Sequence, residues 1–347
     1  CKGGRQFEFE WTVGPVPTSD GIGKEVISRF STNISNAGRM LTDSNGRDTL
    51  ERVRCVGDKD KTCRPSVKEY NTTEPVAGNY WPVNTHVVIR DAAAALSVMV
   101  DRAQGAATLE DGDVELLVHR RLLKDDDRGV GEPLNETQSV TPYDWTDPKN
   151  VSHHEPIRVG KGLVVRGSHV LTLTEPEAAA RSYRRVQDEI YYSPVVGFAA
   201  AADTWPAKDF VGLAAPLPPN VAILTVEKQP GDAVLLRVGH RYGLGEDAEL
   251  SKDASVSLRT LWSVAKLKAP SSVEELSLTA NQPKLKMLER RHGRRFRSTY
   301  GGAPDTKGKG YTAGRLHSEA PKGPKLRITL APLQIRTFLL HYTDERV

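Results

Sequence analysis

The densest run of groups able to do chemistry is Lys124, Asp125, Asp126, Asp127 and Arg128, closed by Gly129 and Gly131. Carboxylates and a planar guanidinium in one turn can fix carboxylates or hydroxyls of a ligand through charge-assisted hydrogen bonds, and glycine lets the backbone come close. A solvated hairpin end tied by local ion pairs would use the same residues. His153, His154 and Glu155 form the one compact set of metal-ligand types, but neighbouring side chains on an extended segment point to opposite faces, which argues against a metal there. The sequence has no Ser-His-Asp ordering, glycine-rich phosphate loop or CxxC pair, and His86 and His240 read as satisfied strand residues.

The elements that must carry that turn are strands. From Asp111 the sequence alternates, with Val114, Leu116, Val118 and Leu122 on one face and Glu115, His119 and Arg121 on the other. The same period recurs in Leu96, Val98 and Val100, in Val221, Ile223 and Thr225, and in Ile335, Thr337 and Leu339. One helix is predicted near 175–190. Thr174, Glu175, Pro176 and Glu177 resemble a capping box, followed by Ala179, Tyr183, Val186 and Ile190 at helical spacing, and the helix must end before Pro194. The expected fold is mainly β, with a large antiparallel sandwich over 1–215 and a smaller carboxy-terminal sandwich over 216–347.

The chain has 347 residues, 38% of them hydrophobic, enough for two domains with real cores. No apolar run reaches the length of a membrane span and no signal peptide heads it. Phe7, Phe9, Trp11 and Val13 alternate with polar residues almost from the start, as though a longer polypeptide had been cut inside a domain. The net charge of +4 hides an uneven distribution: Lys284 to Lys325 has twelve Lys or Arg against three Asp or Glu, so this segment carries +9 and the rest −5. Its basic run could be read as a polyanion patch, but glycine and proline favour a loop, and no nucleic acid or membrane partner is expected.

Asn33, Asn71, Asn135 and Asn150 each begin an Asn-X-Ser/Thr sequon, and Cys55 and Cys63 lie close enough for a hairpin-like disulfide, together suggesting the secretory route. Such a bridge stabilises by about 2–3 kcal/mol. Cys1 is left over, as a free thiol or a bond to another chain.

HRRLLKDDDRGVGEPLNE (119–136) resembles a signature of the class II α-mannosidases, glycoside hydrolase family 38, in their lysosomal branch. GPVPTSDGIGKEVISRF (14–30), TDSNGRDTLERVR (42–54), TEPVAGNYWPVN (73–84), DRAQGAATLEDG (101–112), PPNVAILTV (218–226), VLLRVGHRYGLGED (234–247) and LAPLQIRTF (330–338) extend the likeness over nearly all the chain except 284–325. The resemblance is to the family's carboxy-terminal β region. It implies an α-mannosidase whose nucleophile, general acid and zinc ligands lie on an absent amino-terminal chain, acting on α-linked mannose of N-glycans in the lysosome or vacuole, or secreted. It also implies that Asp125, Asp126, Arg128 and Gly129 form the family's DDxRG loop and wall the sugar pocket. Asp125 to Asp127 alone are poor candidates for a retaining pair, whose two carboxyls must face one sugar about 5–5.5 Å apart. A homo-oligomer is compatible with this reading. The rival readings are a non-catalytic carbohydrate-binding or interaction sandwich and a polyanion binder. Asn79, Tyr80, Trp81 and Asn84 could form a sugar-stacking platform, but an aromatic pair before Pro82 reads better as core.

Overall fold

In the computed structural model the described residues are 6–55, 74–127, 129, 131–138, 144–146, 149, 152–154, 161–198, 210–264, 267, 269–290 and 326–342. They form a mainly β protein of two compact units, Cys1–Val195 and Val196–Val347. The sequence pattern places the division at 215/216; Leu213 bridges Trp262, and Ala214 bonds to Leu261, within the second unit.

The first unit contains β1 (Gln6–Val13), β2 (Lys24–Ser31), β3 (Arg39–Ser44), β4 (Asp48–Val53), β5 (Trp81–Val83), β6 (His86–Arg90), β7 (Ala95–Val100), β8 (Gln104–Ala107) and β9 (Asp113–Arg121). It continues with β10 (Thr137–Gln138), β11 (Asp144–Thr146), β12 (Ser152–His154), β13 (Lys161–Gly162), β14 (Val165–Thr174) and helix α1 (Ala179–Tyr191). Two sheets face each other, one ordered β1-β14-β7-β6-β3-β4 and one β2-β9-β8-β5. Leu96, Val98 and Val100 pack there with Val87, Ile89, Val114 and Leu116, as the alternation requires.

Helix α1 covers the outer face of the larger sheet. Ala179, Ala180, Tyr183 and Val186 are buried, and the Tyr183 ring stacks on His86 at 4.1 Å. The expected capping box is absent: β14 continues through Thr174, which pairs with Ala95, and a 3-10 turn at Pro176–Ala178 leads into the helix without a side-chain cap. Arg184 is buried and donates to the carbonyls of Gly46 (3.1 Å) and Arg47 (2.5 Å), holding the β3–β4 hairpin. Asn45 and Gly46 form that turn at φ 53° and 68°. Asp43, also buried, accepts backbone N–H bonds from Gly46 (2.7 Å), Asn84 (2.8 Å), Thr85 (2.8 Å) and His86 (3.2 Å). Burial pushes its pKa up, but the backbone bonds and His86 outweigh it and hold the carboxyl below its ordinary value.

The second unit has β15 (Val221–Gln229), β16 (Ala233–His240), β17 (Ala254–Ser257), β18 (Ser272–Leu276), α2 (Lys284–Arg290), β19 (Arg327–Leu330) and β20 (Ile335–His341). A sheet ordered β15-β16-β20-β18 packs on the β17-β19 pair around Leu236, Val256, Ile328 and Phe338. The core face of β20 is Phe338 and Leu340, with Ile335 and Leu339 only half-buried, so the alternation is in place but its core register is the other one. Helix α2 shows that the basic segment does not begin as a loop, and Lys284 reaches Glu275 at 2.6 Å, itself bound by buried Arg336 at 2.7 Å. Residues 291–325 lie outside the described residues.

One buried group makes the first unit sensitive to acid. His169 is fully buried between the sheets, its Nε2–H donating to Gln104 Oε1 (2.8 Å), with the rings of Trp11 and Phe30 centred at 5.8 and 5.9 Å. Burial outweighs the nearby Asp101 carboxylate and lowers its pKa to about 4. As pH falls from the unfolded value near 6.5 toward 4, the unfolded chain takes up a proton that the folded chain refuses, so stability is lost in that window, by up to about 3 kcal/mol. The unfolding midpoint of His169→Gln, followed from pH 7 to pH 4, is expected to fall less steeply than that of the parent; parallel curves would show that His169 does not set the acid limit.

Candidate ligand-facing turn and the loops that hold it

The charged turn follows β9, and a bulge in that strand determines how it is held. Opposite β2, Ile27 faces Leu117 and Val26 faces His119, leaving Val118 as an extra residue. An extra residue reverses the alternation beyond it. Glu115 and Arg121, which the sequence pattern sets on one face, therefore part.

Glu115 stays on the outer face, buried beneath Arg29, which donates to Oε2 through Nε (3.0 Å) and Nη2 (2.7 Å), and beneath the Tyr80 hydroxyl, which donates to Oε1. Burial first, and then this carboxylate, push the Tyr80 pKa well up, so its hydroxyl stays a donor. Past the bulge, Arg121 ties together three segments. Its Nε donates to Asn135 Oδ1 (2.8 Å) and its Nη1 to the Val16 carbonyl (2.9 Å). The guanidinium also packs closely over Gly162 in β13, where a Cβ would sit 2.8 Å from Nη1. His119 also turns this way, Nε2 donating to Leu163 O at 3.0 Å.

On this footing Leu122 N–H bonds to Leu134 O (2.9 Å), closing the 122–134 loop. Within it, Asp125 Oδ1 accepts the Asp127 N–H (2.8 Å), an Asx turn with Asp127 at φ 57° and Gly129 at φ 83°. Asp126, Asp127 and Gly129 are exposed, and Asp125 is half-buried. Arg128 lies outside the described residues. The neighbouring 14–23 loop is held by Lys24, which pairs with Asp20 (2.7 Å) and caps Pro17 O (2.8 Å); the lysine bond lowers the Asp20 pKa.

Asn33 and Asn135 are exposed, and Asn135 doubles as the acceptor for Arg121; Asn71 and Asn150 lie outside the described residues. Cys55 is buried and disulfide-bonded, while Cys63 and Cys1 lie outside them. Asn79 is structural, bonding Cys55 N (2.7 Å), Cys55 O (3.0 Å) and Pro75 O (2.7 Å). Trp81 packs against the core under the Arg52 guanidinium, 4.6 Å from its ring centre, and Asn84 donates to Asp43. His153 and His154 fall in β12, whose pairing with β11 is described but not these side chains, and Glu155 lies outside. Among the described residues no group of three His, Cys, Asp or Glu could hold a metal ion.

Sequence reasoning missed Arg121 and Asp43. Arg121 looked like a solvated strand residue because a bulge leaves no mark in an alternation. Asp43 escaped because three of its four backbone donors, Asn84, Thr85 and His86, come from a distant segment of the chain.

The bulged, loop-bearing strand lies in a stretch, residues 2–128, over which the chain matches the family described as "Glycosyl hydrolases family 38 C-terminal domain". In particular, it is 38% identical over 343 residues to the lysosomal alpha-mannosidase of Bos taurus and 39% over 345 residues to that of Homo sapiens. These alignments cover 96% and 97% of this chain and 29% of each relative, so the chain spans under a third of their length. Among solved structures, an alpha-mannosidase from Enterococcus faecalis V583 superposes with a TM-score of 0.53 at 13% identity, covering 97% of this chain and 27% of that one, a likeness of fold alone.

The two duties of Asn135 are separable. Asn135→Ala removes the Arg121 acceptor and is expected to cost about 1.5–3 kcal/mol, whereas Thr137→Ala removes the sequon alone and should stay within about 0.5 kcal/mol. Denaturant melts check this; equal losses would mean that the glycan, not the hydrogen bond, stabilises the loop.

Proposed function

We propose that the chain is the carboxy-terminal portion of a zinc-dependent retaining α-mannosidase that hydrolyses α-linked mannose of N-glycans and oligosaccharides in the lysosome or vacuole, or after secretion. The observation that carries this reading is the 38–39% identity to lysosomal alpha-mannosidases along nearly the whole chain. The catalytic carboxyls and the zinc are assigned to an amino-terminal catalytic region, as the likeness to the family's carboxy-terminal part implies.

This chain's own part is to support that region and wall the sugar pocket. Asp125, Asp126, Arg128 and Gly129 form the wall, carboxylates accepting from sugar hydroxyls and the guanidinium donating to hydroxyls or to a catalytic carboxylate. Edge strand β1 supports a packed partner region. Phe7 is 54% exposed, Phe9 48%, and Leu173 on the adjacent strand 55%, an apolar edge that a further segment would cover. A Cys55–Cys63 bridge and glycans at the four sequons fit the same secretory setting.

The test uses the full-length polypeptide and an aryl α-mannoside. Hydrolysis is expected, and Arg128→Ala should lower kcat/KM by about tenfold to more than a hundredfold per folded molecule, the worth of one charge-assisted contact. No hydrolysis by the parent would overturn the reading. Unchanged kcat/KM in a folded variant would remove the turn from the pocket.

A further inference from the structure

Below the charged turn, the smaller sheet of the first unit stands open. Strands β8 and β9 pair only through Ala106 with Leu116 and Ala107 with Glu115, although β8 begins at Gln104 and β9 runs on to Arg121. Where the ladder would continue, Gln104 turns its amide to Leu117 O (2.8 Å), and the Val118 bulge carries β9 away. The result is a shallow notch of about 440 Å³ lined by Gln104, Gly105, Leu117, Val118, His119 and Arg120, with Ala103 exposed at its rim. Its size falls within the range of small-ligand sites.

The lining has a definite chemistry. Gly105 is closely covered: a Cβ there would come 3.0 Å from Leu117 Cδ1 and 3.4 Å from the Tyr80 ring, so those two side chains already pack on it. Leu117 and Val118 add aliphatic surface. Arg120 brings planar donors, and its charge is balanced by Glu25 at 2.7 Å. His119 commits Nε2–H to Leu163 O, which makes Nδ1 the ring's acceptor. An aliphatic wall, a neutralised donor–acceptor pair and an imidazole acceptor suit a neutral pyranose, whose C–H face packs on carbon while its hydroxyls both give and take hydrogen bonds.

We propose that this notch is a glycan-binding subsite that takes one neutral hexose of a branched mannose-containing oligosaccharide. The choice of mannose rests on the function proposed above; the notch itself rests on the splayed strands. Val118 and Asp125 are seven residues apart on one chain, so the notch and the charged turn are separated by at most about 25 Å, a span that a branched glycan can bridge.

The experiment is hydrogen–deuterium exchange on the full-length polypeptide titrated with S-linked α-mannobiose, which cannot be hydrolysed. Saturable protection of 103–107 and 117–121 is expected in the parent. In Ala103→Trp, which blocks the rim, and separately in His119→Ala, half-saturation should need at least tenfold more sugar. No protection of those segments in the parent, or protection unaltered in both variants, would overturn the subsite. Aryl α-mannoside hydrolysis by the same preparation separates the two claims: hydrolysis without protection defeats the notch alone, and protection without hydrolysis defeats the hydrolase reading alone.

Discussion

The Arg121 guanidinium is the constraint on which the charged-turn end of the first sandwich depends. It donates to Asn135 and to the Val16 carbonyl and lies against Gly162, so the loops on either side of β9 and the short strand β13 share one cation. Arginine suits this because its planar fork donates in several fixed directions at once, which a lysine ammonium would not do from the same stem. It can occupy that position only because the Val118 bulge reverses the strand's alternation just ahead of it. The Asx turn at Asp125 and the left-handed residues Asp127 and Gly129 then shape a loop whose base is already fixed.

Polar groups placed between apolar layers do similar work elsewhere in this unit. Gln104 spans the two sheets, receiving the His169 proton on one side and donating to Leu117 O on the other. Asp43 collects four backbone amides from two chain segments, and Arg184 fixes the hairpin beside it. Asp43 and Arg184 are buried and bonded to backbone groups, and removing one partner would strand the other without water. Burial of His169 beside Gln104 lowers its pKa to about 4, so the cost of protonating it falls in the acidic range.

The sequence carried much of this. Alternation placed β7, β9 and β15, the glycine after the charged run implied a positive φ, and the apolar spacing from Ala179 announced the helix. What escaped it was long-range. Whether Phe338 or Thr337 faces the core depends on what β20 packs against, and a strand pattern alone is symmetric between the two. Thr174 looked like a cap because capping is read locally, yet pairing with Ala95 kept it in the sheet. The bulge was invisible because its signal is a register slip between β2 and β9, a relation of two strands 86 residues apart at Arg29 and Glu115. The turn's charge was legible from the outset; the arginine that anchors it was not.

The most direct test of this account is amide exchange in Arg121→Ala and Arg121→Lys. If Arg121 holds the turn, the Leu122 and Asp127 amides should exchange at least tenfold faster in the alanine variant, and lysine should rescue them only in part. Amides of β16 in the second unit should not change. Unaltered exchange at Leu122 and Asp127, or a uniform rise throughout the first unit, would contradict the claim that this one side chain positions the loop.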